Sequence, residues 1–434
     1  MLTTLVLSLC CQCPADVDQP LTTPGGYTGA SVAMHGDLAV IGAPLGTGND
    51  WATGVVLVYR NTNGTWNREA ELIASDGLVG NMMGVCVDVS DDRIVAGAWF
   101  EDSAGTDAGC AYVFHHADGD WRQEAKLSAS DAAPYDYFGR TVAIDADTIV
   151  VGAPLDDDLG ESTGSAYVFR LTPTGWNESQ KVLAPGSIGS DQFGLGLDLA
   201  GELLAVGSPY SGNGRGLVHL YRYEPSGQVY LHQQTLDDPD GVSEDYFGFE
   251  MAIDEQRLVV GAYRDDESGT DAGRVHSYEY DGTNWVHAQE LAPVGDDVAG
   301  DSFGVSIAMD GERLLVGSRY GGAGAGEVSV FRLLDDDSWL LDSVIEPPNP
   351  VLNAEFGWSV AVSGQYALVG ELEADPDGMA WLYEGILEPC GCPGDWNGDT
   401  LVNVEDLLLV IAGWGDPYGV EDLLEVIGAW GLCQ

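Results

Sequence analysis

The sequence predicts an all-β protein, a seven-bladed β-propeller of four-stranded blades followed by a small α-helical module, and three observations carry that expectation. Phe-Gly, or a close variant, places its glycine at residues 29, 84, 139, 194, 248, 304 and 357, seven copies spaced by 53 to 56 residues. Gly-Ala-Pro, or a variant, places its glycine at 42, 97, 152, 207, 261, 317 and 370, each time 13 residues later. A fixed inner spacing inside an elastic outer period describes rigid units joined by variable loops. The third observation is glycine itself, 59 of 434 residues. That is about twice the average usage of ~7% and fits a chain of many tight turns.

Each unit reads as four short strands. In the third copy, Phe138 to Asp145 alternates small or polar residues with Val142 and Ile144; a tight turn, TIVVGAP, GSAYVF and a segment led by Trp176 follow. Period-2 alternation and β-branched residues are the marks of strands. The fourth strand carries Trp66, Trp121, Trp176, Trp285 and Trp339, with Val229 in the fourth copy, and these rings are expected to pack between blades. The seventh unit stops after its third strand, near Tyr383, so residues 14 to 25 are the candidate to complete the ring.

These units resemble FG-GAP repeats, the type that builds the propeller of integrin α subunits, over residues 26 to 385; Phe138, Gly139, Gly152, Ala153 and Pro154 match both halves of the name. The resemblance implies a propeller used as a binding surface. Calcium-carrying members hold an Asp-rich loop between the two landmarks. Here thirteen residues hold two strands and a turn such as His35, Gly36 and Asp37, which argues against calcium at that position.

Composition narrows the function classes. Seventy Asp and Glu against sixteen Lys and Arg give a net charge of −54, and Lys126 and Lys181 are the two lysines. Such a chain repels nucleic acid and anionic membrane surfaces. With 45% hydrophobic and 9% aromatic residues it still has the material for a packed core. Residues 1–13 contain the apolar run LTTLVLSLCC, read as a signal peptide or lipobox region, and no later stretch approaches the ~20 apolar residues of a membrane span. An extracellular or cell-surface location is the expectation. The eight cysteines cluster at the two ends, apart from Cys86 and Cys110, and their connectivity is open.

After the propeller (residues 14–387) the pattern turns helical over 388–434. Asp395, Asn397, Asp399, Asn403 and Asp406 fall at positions 1, 3, 5, 9 and 12 of a twelve-residue loop, with the carbonyl of Leu401 at position 7. Oxygen donors at this spacing wrap one Ca2+, although Thr400 stands where the sharp turn prefers Gly. VEDLLLVIAGWG at 404–415 returns as VEDLLEVIGAWG at 420–431, and this duplicated loop and helix resembles a dockerin module. The resemblance implies a cohesin-like partner. The four residues DPYG between the helices are too short for a second loop, so one site is expected. Cys390 or Cys392 with Cys433 would staple this small module.

No catalytic constellation stands out. GDSFG at 300–304 matches the nucleophile elbow formally, but Ser302 fills a repeat position held elsewhere by Tyr137, Gln192 and Tyr246. Asp136, Asp191, Asp245 and Asp301 precede the landmark glycine by three residues and read as turn formers. Two repeat breaks are sharper. Asp88 and Asp198 replace the alanine of the other units (Ala33, Ala143, Ala252, Ala308, Ala361) on the innermost strand, and are read as solvated channel residues ahead of an acid/base or cation pair. The acidic loops at 100–109, 156–164 and 264–273 are read mainly as solvated surface, with a cation or basic partner as the sharper reading. The expected function is an exported, non-enzymatic interaction protein binding an unidentified protein or glycan; a polysaccharide-active propeller is the alternative.

Overall fold

The computed structural model describes residues 16–21, 26–295, 298–374 and 377–385, and its strands form one compact unit, Val17–Tyr383. Among the described residues, twenty-eight strands make seven antiparallel sheets of four, the blades of a propeller. Helix there is confined to two four-residue turns, Ser211–Gly214 and Gly321–Gly324. No helix of the described residues is long and apolar enough to cross a membrane.

Blade 3 shows the unit. Its strands are Thr141–Asp145, Thr148–Ala153, Ser165–Thr172 and Gly175–Val182, paired Val142↔Val151, Val150↔Val168 and Tyr167↔Lys181. The third and fourth strands slip register once, between Val168 and Phe169, and blades 1, 2, 4, 5 and 6 repeat that bulge. Blade 7 takes Asp16–Leu21 as the outer neighbour of its third strand, Met379–Glu384, so the start of the chain closes the ring.

The core lies between blades. Val95, Val113 and Leu127 of blade 2 pack with Val142, Ile149, Val151 and Phe169 of blade 3 around Phe138, which is fully buried. Burial of such a ring contributes roughly 2–3 kcal/mol, and Phe193, Phe247, Phe303 and Phe356 repeat it.

The spacing of 13 has a backbone cause. The landmark N–H of Gly139 donates to the carbonyl of Gly152 at 3.0 Å within its own unit. The carbonyl of Gly139 in turn lies where a Cβ on Gly97 of the preceding blade would stand, 1.9 Å away, and the same clash would occur at every seam, including Gly370 against Gly29 at 2.2 Å. Neither glycine tolerates a side chain because backbone meets backbone there. The residue two before each landmark glycine adopts the left-handed region in all seven copies: Tyr27, Met82, Tyr137, Gln192, Tyr246, Ser302 and Glu355, φ 49 to 58°. Ser302 therefore sits on a strained turn leading into the strand Phe303–Asp310, with no following helix, and the elbow match is coincidental.

The outer rings behave as expected, with one correction. Trp121 Nε1 donates to Glu69 of the preceding blade at 3.1 Å, and Trp176 Nε1 to Glu124 at 3.0 Å. In blade 4 the equivalent is Tyr230 and not Val229: the hairpin turn is longer, so Tyr223 pairs with Tyr230 where Asn61 pairs with Trp66. The Gln180 side chain holds the Tyr230 backbone, as Gln234 holds that of Trp285.

Candidate functional site

Each first strand runs from the Phe-Gly landmark to a tight turn, and the second strand runs back. The landmark segments and the loops after Gly-Ala-Pro therefore share one face of the ring, called upper here. First strands of all seven blades line a central channel enclosing about 310 Å³.

Asp88 and Asp198 both line it, as the repeat breaks indicated. Both are held in place by backbone N–H groups. Asp88 Oδ1 accepts the Val89 N–H at 2.8 Å, and its Oδ2 accepts the N–H of Ile144, in the next blade, at 2.7 Å. Asp198 does the same with Leu199 and Ile253, both at 2.8 Å. An inner strand has backbone donors on its open edge, and these carboxylates satisfy two of them. Ser31, Asp145 and Asp310 tie other blade pairs in the same manner, and Ser90 adds a second tie between the blades that Asp88 joins.

Enclosure pushes Asp88 up to about 7 and Asp198 up to about 6, against the pull of those N–H donors. Glu250, a channel residue that sequence reasoning missed, is pushed up to about 8 by enclosure and by Asp198. All three are half-buried and line the channel, which tempers the desolvation. Burial pushes the Cys86 thiol up to about 11, which favours the protonated form, and its Sγ faces the Val142 carbonyl at 3.8 Å.

The upper mouth is chemically different. The residue after each landmark glycine lines it, and in three blades that residue is aromatic or arginine, Arg140, Phe249 and Trp358; Trp99, Tyr263 and Arg319, third residues of their Gly-Ala-Pro segments, pack against these. Arg140 lies 5.0 Å from the Trp99 ring, and Arg319 lies 5.4 Å from Trp358, 4.8 Å from Tyr320 and 5.8 Å from Tyr263. Phe249 packs on Tyr263 at 4.7 Å, and Tyr263 stacks on Tyr246 at 5.6 Å. Trp99 Nε1 and Arg319 Nε are buried with no hydrogen-bond partner. Flat π faces beside fixed positive charges favour a ligand with apolar planes and polar or acidic edges. The signal was present in the sequence as repeat breaks at these two positions.

In the acidic loops on this face the first acid departs from the solvation reading, while Asp102, Asp157, Asp158, Glu161, Asp266 and Glu267 are exposed as that reading expects. Glu101, Asp156 and Asp265, the first acids of the three loops, are buried. Lys126 meets Glu101 at 3.0 Å, and Lys181 meets Asp156 at 2.8 Å. The next acids, Asp102, Asp157 and Asp266, each accept a backbone N–H five residues on, closing the loop. Asp136, Asp191 and Asp245 accept turn N–H groups, in agreement with the sequence. Cys86 and Cys110 are free thiols. The calcium-loop residues Asp395, Asn397, Asp399, Leu401, Asn403 and Asp406, and the cysteines near both ends, lie outside the described residues.

Blade count, channel and glycine seams define the class, a seven-bladed β-propeller. The chain carries FG-GAP repeats: the FG-GAP repeat model matches residues 66–114, 121–169, 225–278 and 285–331. Each match runs from the outer strand of one blade to the third strand of the next. No curated protein matches the sequence. Among solved structures, the periplasmic gluconolactonase PpgL of Pseudomonas aeruginosa is similar, with TM-score 0.50 and 14% identity over 76% of this chain and 87% of that one. A putative 6-phosphogluconolactonase from Bacteroides uniformis gives 0.49 and 13%, covering 77% and 89%; Sqt1 of Saccharomyces cerevisiae gives 0.47 and 8%, covering 86% and 89%. At these identities the likeness is one of fold.

Proposed function

We propose that this is an exported, non-enzymatic interaction protein whose propeller binds a glycan or protein ligand at the upper channel mouth. The observation that carries the reading is the cluster of Arg140, Arg319, Trp99, Tyr263 and Trp358, positive and aromatic in a chain of net charge −54. The channel carboxylates below it are tied to backbone N–H groups, which favours binding over turnover. In this reading residues 388–434 form a calcium-organised, dockerin-like attachment module that holds one Ca2+ through Asp395, Asn397, Asp399, the Leu401 carbonyl, Asn403 and Asp406. A cohesin-like domain is its candidate partner.

A glycan and protein binding screen on the full chain tests the mouth. Ligands found there should be lost in Trp358→Ala and Arg319→Ala with thermal unfolding nearly unchanged. Binding indifferent to both variants overturns the assignment. Polysaccharide cleavage abolished by Asp198→Asn would establish the enzyme alternative. For the tail, calorimetric titration with Ca2+ should lose one site in Asp399→Ala.

A further inference from the structure

We propose that the propeller holds a buried divalent-cation site between blades 4 and 5, built from Asp238, Asp245 and Asp265 with His276 at its edge. Carboxylate oxygens of the three aspartates lie within 4.8 Å of one another, and all three residues are buried, Asp238 completely. Each commits one oxygen to a backbone N–H: Asp238 to Asp240 at 3.0 Å, Asp245 to Val242 at 2.5 Å and Asp265 to Glu267 at 2.9 Å. The other oxygen of Asp238, Oδ2, is buried with no hydrogen-bond partner. His276, 1% exposed, also has a buried Nε2 without one; it lies 3.6 Å from Asp238 Oδ1, beyond hydrogen-bond reach.

Comparison with blade 3 gives the charge that is missing. There the position of Asp238 is Ala184 on one side of the repeat and Ala129 on the other, so Asp238 is an added acid. Tyr167 pairs with Lys181 and Ser165 with Ala153; in blade 5 the same register pairs His276 with Glu290 and Arg274 with Ala262. Alanine to aspartate, lysine to glutamate and serine to arginine leave the formal charge of the blade 5 pocket, histidine not counted, two units more negative. Arg274 is occupied by Glu267 at 2.6 Å and Glu290 at 2.8 Å, reaching Asp265 only at 3.4 Å. Arg215 bonds the Asp238 carbonyl, not its carboxylate. One divalent cation supplies the deficit. A buried carboxylate oxygen without a hydrogen bond is costly, and three hard oxygen donors select a cation of the Ca2+, Mg2+ or Mn2+ class. The site lies at the upper face, away from the turn where calcium-carrying FG-GAP repeats hold their loop.

The test uses the full chain carrying Asp399→Ala, which silences the C-terminal loop. After chelation and equilibrium dialysis against Ca2+, Mg2+ or Mn2+, metal analysis should find one ion per chain. Asp238→Ala, which installs the residue of the sister blades, should lower that count by one and abolish the saturable rise in melting temperature. No retained ion, or a count unchanged by Asp238→Ala, overturns the proposal. So does retention of Zn2+ alone that is lost in His287→Ala, because that result would place the metal on the neighbouring His276, His287 and Glu290 group.

Discussion

In blade 3 the buried acid behind the Gly-Ala-Pro landmark, Asp156, receives Lys181 Nζ at 2.8 Å and the Tyr167 hydroxyl at 2.7 Å. In blade 5 the same position, Asp265, has Arg274 at 3.4 Å, while His276 and Glu290 stand where the tyrosine and lysine stood. The backbones agree and the pocket chemistry does not. The repeat thus fixes what cannot be substituted, backbone against backbone at the glycine seam, and leaves each inter-blade pocket to find its own charge balance.

The largest expected effect strikes what the two blades share. Gly152→Ala puts a Cβ 2.1 Å from the Gly194 carbonyl, and Gly261→Ala puts one 2.3 Å from that of Gly304. Each should cost ~3 kcal/mol or more in denaturant unfolding, equally in both blades. Gly119→Ala, with nothing within 4 Å, should cost only the ~1 kcal/mol of its left-handed backbone. A seam variant no worse than Gly119→Ala would break the account of the spacing.

Next comes the pocket itself. Lys181→Met leaves Asp156 buried beside Asp131 without a cation and should cost ~3 kcal/mol. In cation-free buffer Asp238→Ala should do the opposite in blade 5, stabilising by ~1 kcal/mol through loss of an unsatisfied carboxylate oxygen. If both variants destabilise alike, the two pockets are balanced in the same way and the comparison fails.

Acidity gives a smaller effect. Asp88 and Asp198, raised to about 7 and about 6, keep protons in the folded channel that an unfolded aspartate, at about 3.9, has released. Between about pH 4 and pH 7 the folded state binds more protons than the unfolded one, so stability falls as pH rises through that window and levels off above it. The melting temperature should drop from pH 5 to pH 7.5, and Asp88→Asn should flatten the slope. A slope unchanged in that variant would assign the pH dependence to other groups.

Smallest is bulk screening. A charge of −54 repels itself, and the Debye length falls from ~10 Å at 0.1 M to ~3 Å at 1 M salt. NaCl should raise the melting temperature by a degree or two, and CaCl2 at equal ionic strength should match it once Asp238 and Asp399 are both alanine. A remaining calcium excess would point to a further cation site in the acidic loops.

The seven blades and the closing strand were legible because glycine spacing reports contacts between main chains, for which no side chain can stand in. The roles of the acids were not. Asp156 looks like any residue of an acidic loop, and only folding brings it Lys181 from 25 positions away. Asp88 and Asp198 were placed in the channel correctly, yet their partners Ile144 and Ile253 belong to the next blade and leave no local trace. Arg140, Arg319 and Trp358 were visible as repeat breaks, but they stand in three different repeats and no local pattern shows that folding gathers such residues at one mouth.

The strand Asp16–Leu21 has a consequence in time as well as in space. It joins Met379–Glu384, so the last sheet cannot be completed until some 360 residues separating the two have been synthesised. Six blades can form in order as the chain emerges, from contacts that are local on the scale of one repeat. The seventh waits for a closure whose entropic cost grows only with the logarithm of the loop, so the late step is slow to find and inexpensive to hold. Once closed, opening at this junction leaves the six complete sheets intact, and their glycine seams keep the ends close enough to meet again.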